Sequence, residues 1–199
     1  MEAVAPRRER DTPRERAFDG PPVSWHTFAL YISFLWSDMD AIRYEPIGII
    51  RSPFREPEGT PIQPAATRGT AGTVEVFQRY AEGLKDLDGF SHVILLYHFH
   101  EAGPPELEVR PFMDDAKHGV FATRAPARPN PIGLSVVRLL RIDDNVLHVR
   151  DVDILDGTPL LDIKPYAPAF DVRGQIRTGW LENRVDRLPE ATDDGRFSG

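Results

Sequence analysis

The sequence of 199 residues contains no cysteine. This absence excludes disulfides, thiolate zinc sites, iron–sulfur ligation and a cysteine nucleophile, and it is typical of proteins from a reducing cytosol. The chain also lacks the GxGxxG motif of dinucleotide-binding folds, the GxxxxGK[ST] motif of P-loops and the GxSxG motif of many hydrolases. The common nucleotide-binding and hydrolase classes are therefore not indicated.

Long apolar runs are missing as well. The patch Phe28–Trp36 is about nine residues long, well short of the ~20 that cross a bilayer, and Ser37-Asp38-Met39 follows it in place of a small-residue cleavage site. We therefore expect no membrane association, no export and a cytoplasmic location. The formal net charge is -7, so any surface that attracts nucleic acid must be local.

The chain divides by composition into three parts. Residues 1–38 begin with a mixture of Arg, Glu and Pro and have no periodicity that suits a core, so we expect a disordered or spurious N-terminal extension, with a functional arm as the alternative. Residues 39–172 are predicted to form the folded domain. Residues 173–199 are predicted to form a charged C-terminal tail with a frayed end, which Trp180 and Leu181 would dock.

Short apolar runs between turn residues predict an all-β sheet or barrel. The predicted strands are Tyr44–Ile50, Thr73–Phe77, Val93–Phe99, Val120–Thr123, Leu134–Ile142, Val146–Ile154 and Leu160–Ile163. Asp143-Asp144-Asn145 predicts an antiparallel hairpin, because Asp and Asn tolerate left-handed turn conformations. Helical spacing of any length occurs only over Gln78–Leu87, so we expect one or two short helices.

A local basic segment stands out against the acidic background. Residues 116–142 contain no Asp or Glu but five basic residues, namely Lys117, Arg124, Arg128, Arg138 and Arg141. The prolines around Arg124 and Arg128 stiffen their loop, so Arg124, Arg128 and Asn130 are candidates for binding phosphate or carboxylate groups. Arg138 and Arg141 are interpreted as residues of a solvated strand face.

Two further clusters carry candidate chemistry. Four acidic residues fall within residues 151–162 around an Asp-Gly turn. This cluster is either a site for a cation or a ribose, or an ordinary hairpin with solvated acids. His98 and His100 are two residues apart on a predicted strand and would face the same way, as metal ligands do on barrels. No third ligand has a suitable spacing, so hydrogen bonding or stacking is the preferred interpretation.

Six segments carry a family resemblance. They are Tyr44–Pro53, Gly89–His92, Phe121–Arg124, Arg128–Ser135, Asp156–Pro159 and Asp162–Tyr166. In this order and spacing, the chain resembles the TsaA-like family, the family of TrmO methyltransferases, over about Tyr44 to Asp171. The resemblance implies a small antiparallel β-barrel that acts as a homodimer. It also implies an S-adenosylmethionine-dependent methyltransferase acting on N6 of threonylcarbamoyladenosine next to the anticodon of tRNA.

The resemblance also implies site residues. Those that would contact S-adenosylmethionine are Gln63, Pro64, Ala65, Ala66, His100, Glu101, Arg124, Leu134, Ser135, Asp153, Ile154, Leu155, Asp156, Gly157, Thr158 and Pro159. Ala65 and Ala66 stand where bulkier apolar residues or glycine are expected. No metal is implied.

Chemistry assigns roles to a few more residues. Methyl transfer from a sulfonium is an in-line displacement, so the protein mainly positions the reactants and excludes water. N6 of a carbamoylated adenosine must also lose a proton, for which Asp153, Asp156 and the threonyl carboxylate of the substrate are the candidates. Arg128 or Arg51 would pair with that carboxylate or with a backbone phosphate.

Three alternatives remain from the sequence: a non-catalytic S-adenosylmethionine-binding or nucleotide-binding barrel, a methyltransferase for a small molecule, and a metalloenzyme that uses His98 and His100. Purified protein that consumes no methyl donor with tRNA would favour the first, and methylation of a free nucleoside as readily as tRNA would favour the second. Stoichiometric metal would favour the third.

We predict that a chain beginning at Met39 is as stable and as active as the full chain, because residues 1–38 have no pattern that the domain can bury. The check is the melting temperature together with methyltransferase activity. A fall in melting temperature of more than about a few degrees, or a large loss of activity, would instead show that the arm is functional.

Overall fold

Alternating apolar and polar residues give each strand one face for the core. The computed structural model describes residues 41–67 and 69–199, and the predicted extension 1–38 lies outside them. The strands are β1 (Gly48–Arg51), β2 (Ala71–Val76), β3 (His92–His98), β4 (Glu108–Val109), β5 (His118–Gly119), β6 (Ile132–Asp143), β7 (Val146–Arg150) and β8 (Thr158–Pro165). The α-helix is α1 (Pro168–Asp171), and the 3-10 helices are Pro64–Ala66, Gln78–Leu84, Leu87–Gly89, Val120–Ala122, Gly179–Leu181 and Val185–Glu190.

Six strands form a closed barrel in the order β1-β2-β7-β6-β3-β8. Every pairing in it is antiparallel, and β8 closes the ring by pairing with both β1 and β3. Strands β4 and β5 form a separate two-stranded sheet. The predicted all-β class with a small antiparallel barrel and little helix is confirmed. Closure leaves the barrel no open sheet edge.

The barrel interior is a single apolar core. Its fully buried side chains include Ile50, Val74, Leu95, Leu147 and Leu160, one from each of five strands. Burying a side chain of this size contributes roughly 1.5–3 kcal/mol. The core therefore fixes which face of each strand points outward.

The hairpin prediction is confirmed, and its physical basis is visible. β6 and β7 pair antiparallel with Asp143 opposite Val146, and Asp144 in the turn has a φ of 55°. An aspartate tolerates this left-handed conformation better than a β-branched residue does. Asp151 has a φ of 67° and turns the chain out of the sheet, so the last predicted strand residues, up to Ile154, are not in β7.

Three local predictions are wrong. Val120–Ala122 is a 3-10 turn and not a strand, because the Thr123 amide and hydroxyl both donate to the Val120 carbonyl, at 3.0 and 2.9 Å. The helical spacing after Gln78 yields a 3-10 helix that ends at Leu84. The chain end is not frayed: the Phe197 side chain is buried in a second small core.

No helix within residues 41–67 and 69–199 is both long enough and apolar enough to cross a membrane.

One close contact connects the barrel to the site described next. Gly133 in β6 lies opposite Tyr97 in β3, and a Cβ on Gly133 would lie 2.2 Å from the Tyr97 ring. Tyr97 is buried, and its hydroxyl lies 3.0 Å from the Ser135 hydroxyl. The ring therefore fills the space that only a glycine leaves open.

We predict that Gly133→Ala lowers the free energy of unfolding by about 1–3 kcal/mol or more, the scale of overpacking a core. Chemical denaturation measures this difference. Gly119→Ala is the matched control, because a Cβ there has no atom within 4 Å and the φ of Gly119 is -57°. Equal stability of the two variants would contradict the packing argument.

Candidate functional site

A cavity of about 710 Å³ lies at the end of the barrel where β3 ends and β6 and β8 begin. Tyr97, Gly133 and Thr158 contribute to its wall from these strands. Loops around residues 60–63, 99–102 and 121–128 form most of the remaining wall. A volume of this size accommodates a nucleoside-containing ligand.

The segment that leaves β7 crosses this end of the barrel. Val152 is completely buried in the core, and the next three residues, Asp153, Ile154 and Leu155, line the cavity. The segment is held in place by the buried Ser52 hydroxyl, which donates to the Ile154 carbonyl at 2.6 Å. The buried Val152 side chain and this hydrogen bond therefore hold Asp153 at the cavity wall.

The Asp153 carboxyl is in an unusual environment. Its Oδ1 is buried and accepts no hydrogen bond from the described residues. Burial raises the pKa of Asp153 to about 7, while the neighbouring Ser135 hydroxyl and the Arg124 charge act against that rise. Burial also raises the pKa of the Tyr97 hydroxyl, and the Asp153 charge adds to this effect. A carboxyl with a pKa near neutrality can accept or release a proton at working pH.

Polar side chains from separate loops also contact each other in the cavity wall. Arg124 Nη1 donates to Gln63 Oε1 at 2.9 Å and so joins two loops that are 61 residues apart. His100 Nδ1 lies 3.2 Å from the Thr158 hydroxyl at the start of β8. The mouth of the cavity is thus held together by polar contacts between side chains.

The structure brings ten of the predicted site residues together in the cavity wall. They are Gln63, His100, Glu101, Arg124, Arg128, Leu134, Asp153, Ile154, Leu155 and Thr158. It does not bring Arg51, Pro64, Ala66, Asn130, Ser135, Asp156, Gly157 and Pro159 into that wall. Ser135 lies behind the wall, in contact with Tyr97.

Asp156, the second candidate acid, has a different environment from Asp153. Its Oδ1 accepts the Ser52 amide at 3.2 Å, and its Oδ2 pairs with Arg55 and, at 4.0 Å, with Arg51. Its backbone amide donates to the Phe54 carbonyl at 2.7 Å. These contacts fasten the loop after β1 to the start of β8, so Asp156 and Arg51 act here as a structural clamp.

Several wall residues were not predicted from the sequence. Tyr97 and Phe99 follow the ordinary strand alternation, so no pattern separates them from core residues. Trp180 and Phe197 lie in the tail, where only the isolated aromatics in a charged segment signal a docking contact. Phe121 is 78% exposed although it lines the cavity.

The described residues contain no group of three or more His, Asp or Glu side chains that could hold a metal ion. His98 is an exposed residue at the end of β3, whereas His100 is bonded to Thr158 as described above. The two histidines therefore do not form a joint site with a third acidic or imidazole ligand within this part of the chain.

Comparison with known families assigns the chain. The family of the tRNA-methyltransferase O N-terminal domain matches residues 49–172, which include all six barrel strands except the first residue of β1. The chain belongs to this family, and the resemblance found in the sequence is confirmed.

Individual relatives have more specific names. A probable S-adenosyl-L-methionine-binding protein of Pyrococcus abyssi is 64% identical over 156 residues, which are 78% of this chain and 85% of that protein. The tRNA (adenine(37)-N6)-methyltransferase of Escherichia coli is 39% identical over 140 residues, 65% of this chain and 60% of that protein. The crystal structure of TrmO from Pseudomonas aeruginosa is 42% identical, with a TM-score of 0.59 over 71% of this chain and 63% of that chain. The chain thus spans less than two thirds of these two bacterial relatives.

The buried Asp153 carboxyl generates a stability prediction. Because folding raises its pKa from 3.8 to about 7, its contribution to stability is complete below about pH 4 and is lost as the pH rises through 7. Asp153→Asn has no such loss. We predict that the free energy of unfolding of the wild type, relative to that of Asp153→Asn, falls by on the order of 1–4 kcal/mol between pH 4.5, near the lower end of this range, and pH 8, above its upper end.

Urea unfolding at the two pH values measures this change. Asp88→Asn is the control, since Asp88 is exposed and its difference from the wild type is expected to stay constant. A constant difference for Asp153→Asn as well would show that the carboxyl titrates as an ordinary aspartate.

Proposed function

We propose that this chain transfers a methyl group from S-adenosylmethionine to N6 of an adenine in tRNA, and that the target nucleoside is threonylcarbamoyladenosine next to the anticodon. The observation that carries the proposal is the Asp153 carboxyl, which faces a cavity of nucleoside size with an unpaired buried oxygen. Membership of the family and the name of the Escherichia coli relative support the reaction class.

The cavity residues fit the proposed cofactor. Phe99, Leu134 and Leu155 would offer apolar walls for an adenine ring, and the acidic Glu101 and Asp153 would supply negative charge that attracts a sulfonium cation. Gln63 and Arg124, which already contact each other, supply polar groups at the mouth. When bound, S-adenosylmethionine would supply an electrophilic methyl carbon for in-line displacement by a nitrogen.

The chain's own contribution to the chemistry is positioning and proton transfer. The Asp153 carboxylate accepts the proton that N6 loses as its new bond to carbon forms. Because burial raises the pKa of Asp153 to about 7, the carboxyl can both accept and release a proton near neutral pH. Tyr97 and Ser135 lie behind this carboxyl and keep water from its inner side. Asp156 is less suited to accept the proton, because Ser52, Arg55 and Arg51 occupy its oxygens.

The basic loop is proposed to receive the RNA. Arg128 lines the cavity and donates to the Thr123 carbonyl at 3.4 Å, and it is absent from the ion pairs between side chains that the structure describes. By contrast, Arg138 on the outside of β6 lies 3.8 Å from Asp151. Arg128 therefore has charge available for a phosphate or for the threonyl carboxylate, whereas the charge of Arg138 is already balanced.

A homodimer is part of the same proposal. Phe170, Val172 and Ile176 are 72, 58 and 69% exposed just after β8, so this surface offers apolar area that a second copy would cover. Action on tRNA also fits the expected cytoplasmic location.

We predict that Asp153→Asn lowers kcat by about 10²- to 10⁴-fold, the usual contribution of a general base. The kcat of the wild type should rise with pH through about 7, because the reaction needs the carboxylate, whereas the variant should show no such rise. Steady-state rates over a pH series test this, with Asp88→Asn as a control that keeps the wild-type profile.

Calorimetric titration with S-adenosylmethionine separates the ways in which this prediction can fail. Absence of binding to the wild type would remove the methyltransferase proposal. If the wild type binds S-adenosylmethionine but Asp153→Asn methylates at the wild-type rate, the proton must go to another acceptor, such as the substrate's own carboxylate.

We also predict that Arg128→Gln weakens tRNA binding and reduces the slope of log affinity against log salt by about one, since one phosphate contact is lost. Affinity for S-adenosylmethionine should change less than about threefold. Arg138→Gln is the matched control, with unchanged tRNA affinity. Equal effects of the two variants would contradict the assignment of the RNA to the basic loop.

A further inference from the structure

The C-terminal segment Gly179–Gly199 forms a wall of the cavity. Trp180, Leu181, Val185, Leu188 and Phe197 line it, although the match to the family domain ends at residue 172. This wall is therefore built from residues outside the matched domain.

The segment is bonded to loops that line the same cavity. The Gly59 amide donates to the Asp193 carbonyl and the Asp193 amide to the Thr60 carbonyl, both at 2.8 Å. The Gly103 amide donates to the carbonyl of Phe197 at 2.8 Å, and the Phe197 ring is buried in the second core. These contacts hold the wall in place at three separate points of the chain.

Within this wall, Trp180 is held by a network of its own. The indole Nε1 donates to the Ala122 carbonyl at 2.8 Å, and the His118 ring stacks on the indole at 4.8 Å between centroids and 21° between planes. Asp114 fixes both neighbours: it lies 2.9 Å from His118 Nε2 and 3.1 Å from Arg184 Nη2. Arg184 also donates to the Trp180 carbonyl at 2.9 Å.

This arrangement resembles a preformed stacking surface. Trp180 lines the cavity, and its ring stacks on His118, which is not among the lining residues. A ring whose plane is already fixed loses little entropy when another ring stacks on it. The Asp114–His118–Trp180–Arg184 network is larger than anchoring the tail requires, because Phe197 and the backbone contacts already anchor it.

We propose that Trp180 is a stacking platform for an adenine ring bound in the cavity. The proposal rests on the proposed function, since both S-adenosylmethionine and the tRNA substrate carry adenine. Trp180 is thus a ligand-binding residue from the tail, and Asp114, His118 and Arg184 are positioning residues that act through it.

Fluorescence of the full chain with Trp25→Phe and Trp36→Phe tests the proposal, because Trp180 is then its only tryptophan. The probes are S-adenosylmethionine, adenosine, tRNA and S-methylmethionine, a sulfonium without adenine. Quenching by S-adenosylmethionine but not by S-methylmethionine identifies the cofactor's adenine as the stacked ring. Quenching by adenosine or tRNA while bound S-adenosylmethionine gives none identifies the substrate's adenine. No quenching by any adenine-containing probe overturns the proposal.

Affinity measurements give a second, independent test. Trp180→Ala should weaken binding of the partner that quenches by about 5- to 150-fold, the range for aromatic residues that stack on bases. Trp180→Phe loses the hydrogen bond to Ala122 but keeps a ring, and should lose far less. Arg177→Ala, an exposed tail substitution, is the control. Equal losses of affinity in Trp180→Ala and Trp180→Phe would show that Trp180 only anchors the tail and does not stack on the ligand.

The two proposals fail in different ways. If calorimetry detects S-adenosylmethionine binding and tRNA is methylated, but Trp180→Ala has wild-type affinities, only the platform is wrong. If Trp180→Ala does not fold, the fluorescence experiment and Trp180→Phe still decide, because both keep an aromatic ring at the position.

Discussion

The packing of the Tyr97 ring over Gly133 is the contact on which the rest of the site depends. It places a phenol inside the end of the barrel, with its hydroxyl 3.0 Å from Ser135. Behind the Asp153 carboxyl there is therefore protein and not water, and the free energy of the charged form rises. The same β3–β6 pairing that closes the barrel also creates the unusual acid.

Two aspartates three residues apart illustrate how environment assigns roles. Asp156 has arginines and a backbone amide as partners, and it joins two loops. Asp153 has a buried, unpaired oxygen and faces the cavity. Separation of a structural acid from a titrating acid in this way is a general means by which one fold performs proton transfer near neutral pH.

Much of the fold could be predicted from local pattern, because strand alternation and turn chemistry are local. Asp143-Asp144-Asn145 predicted the β6–β7 hairpin, whereas the bond from Thr123 back to Val120 replaced a predicted strand by a turn. The site was harder: the contacts that distinguish Asp156 from Asp153 come from Arg55 and Ser52, more than 100 residues away. Trp180 was expected to dock the tail, but its place in the cavity wall depends on His118 and Ala122, which no spacing connects to it.

The central claim is that this cavity brings a methyl donor and an adenine of tRNA together. The most direct measurement is nucleoside mass spectrometry of tRNA after incubation with the purified full chain and S-adenosylmethionine that carries a deuterated methyl group. We predict one deuterated methyl group on N6 of threonylcarbamoyladenosine and none in tRNA that lacks the threonylcarbamoyl group. Label on another atom or nucleoside, or no label despite saturating donor and tRNA, would contradict it.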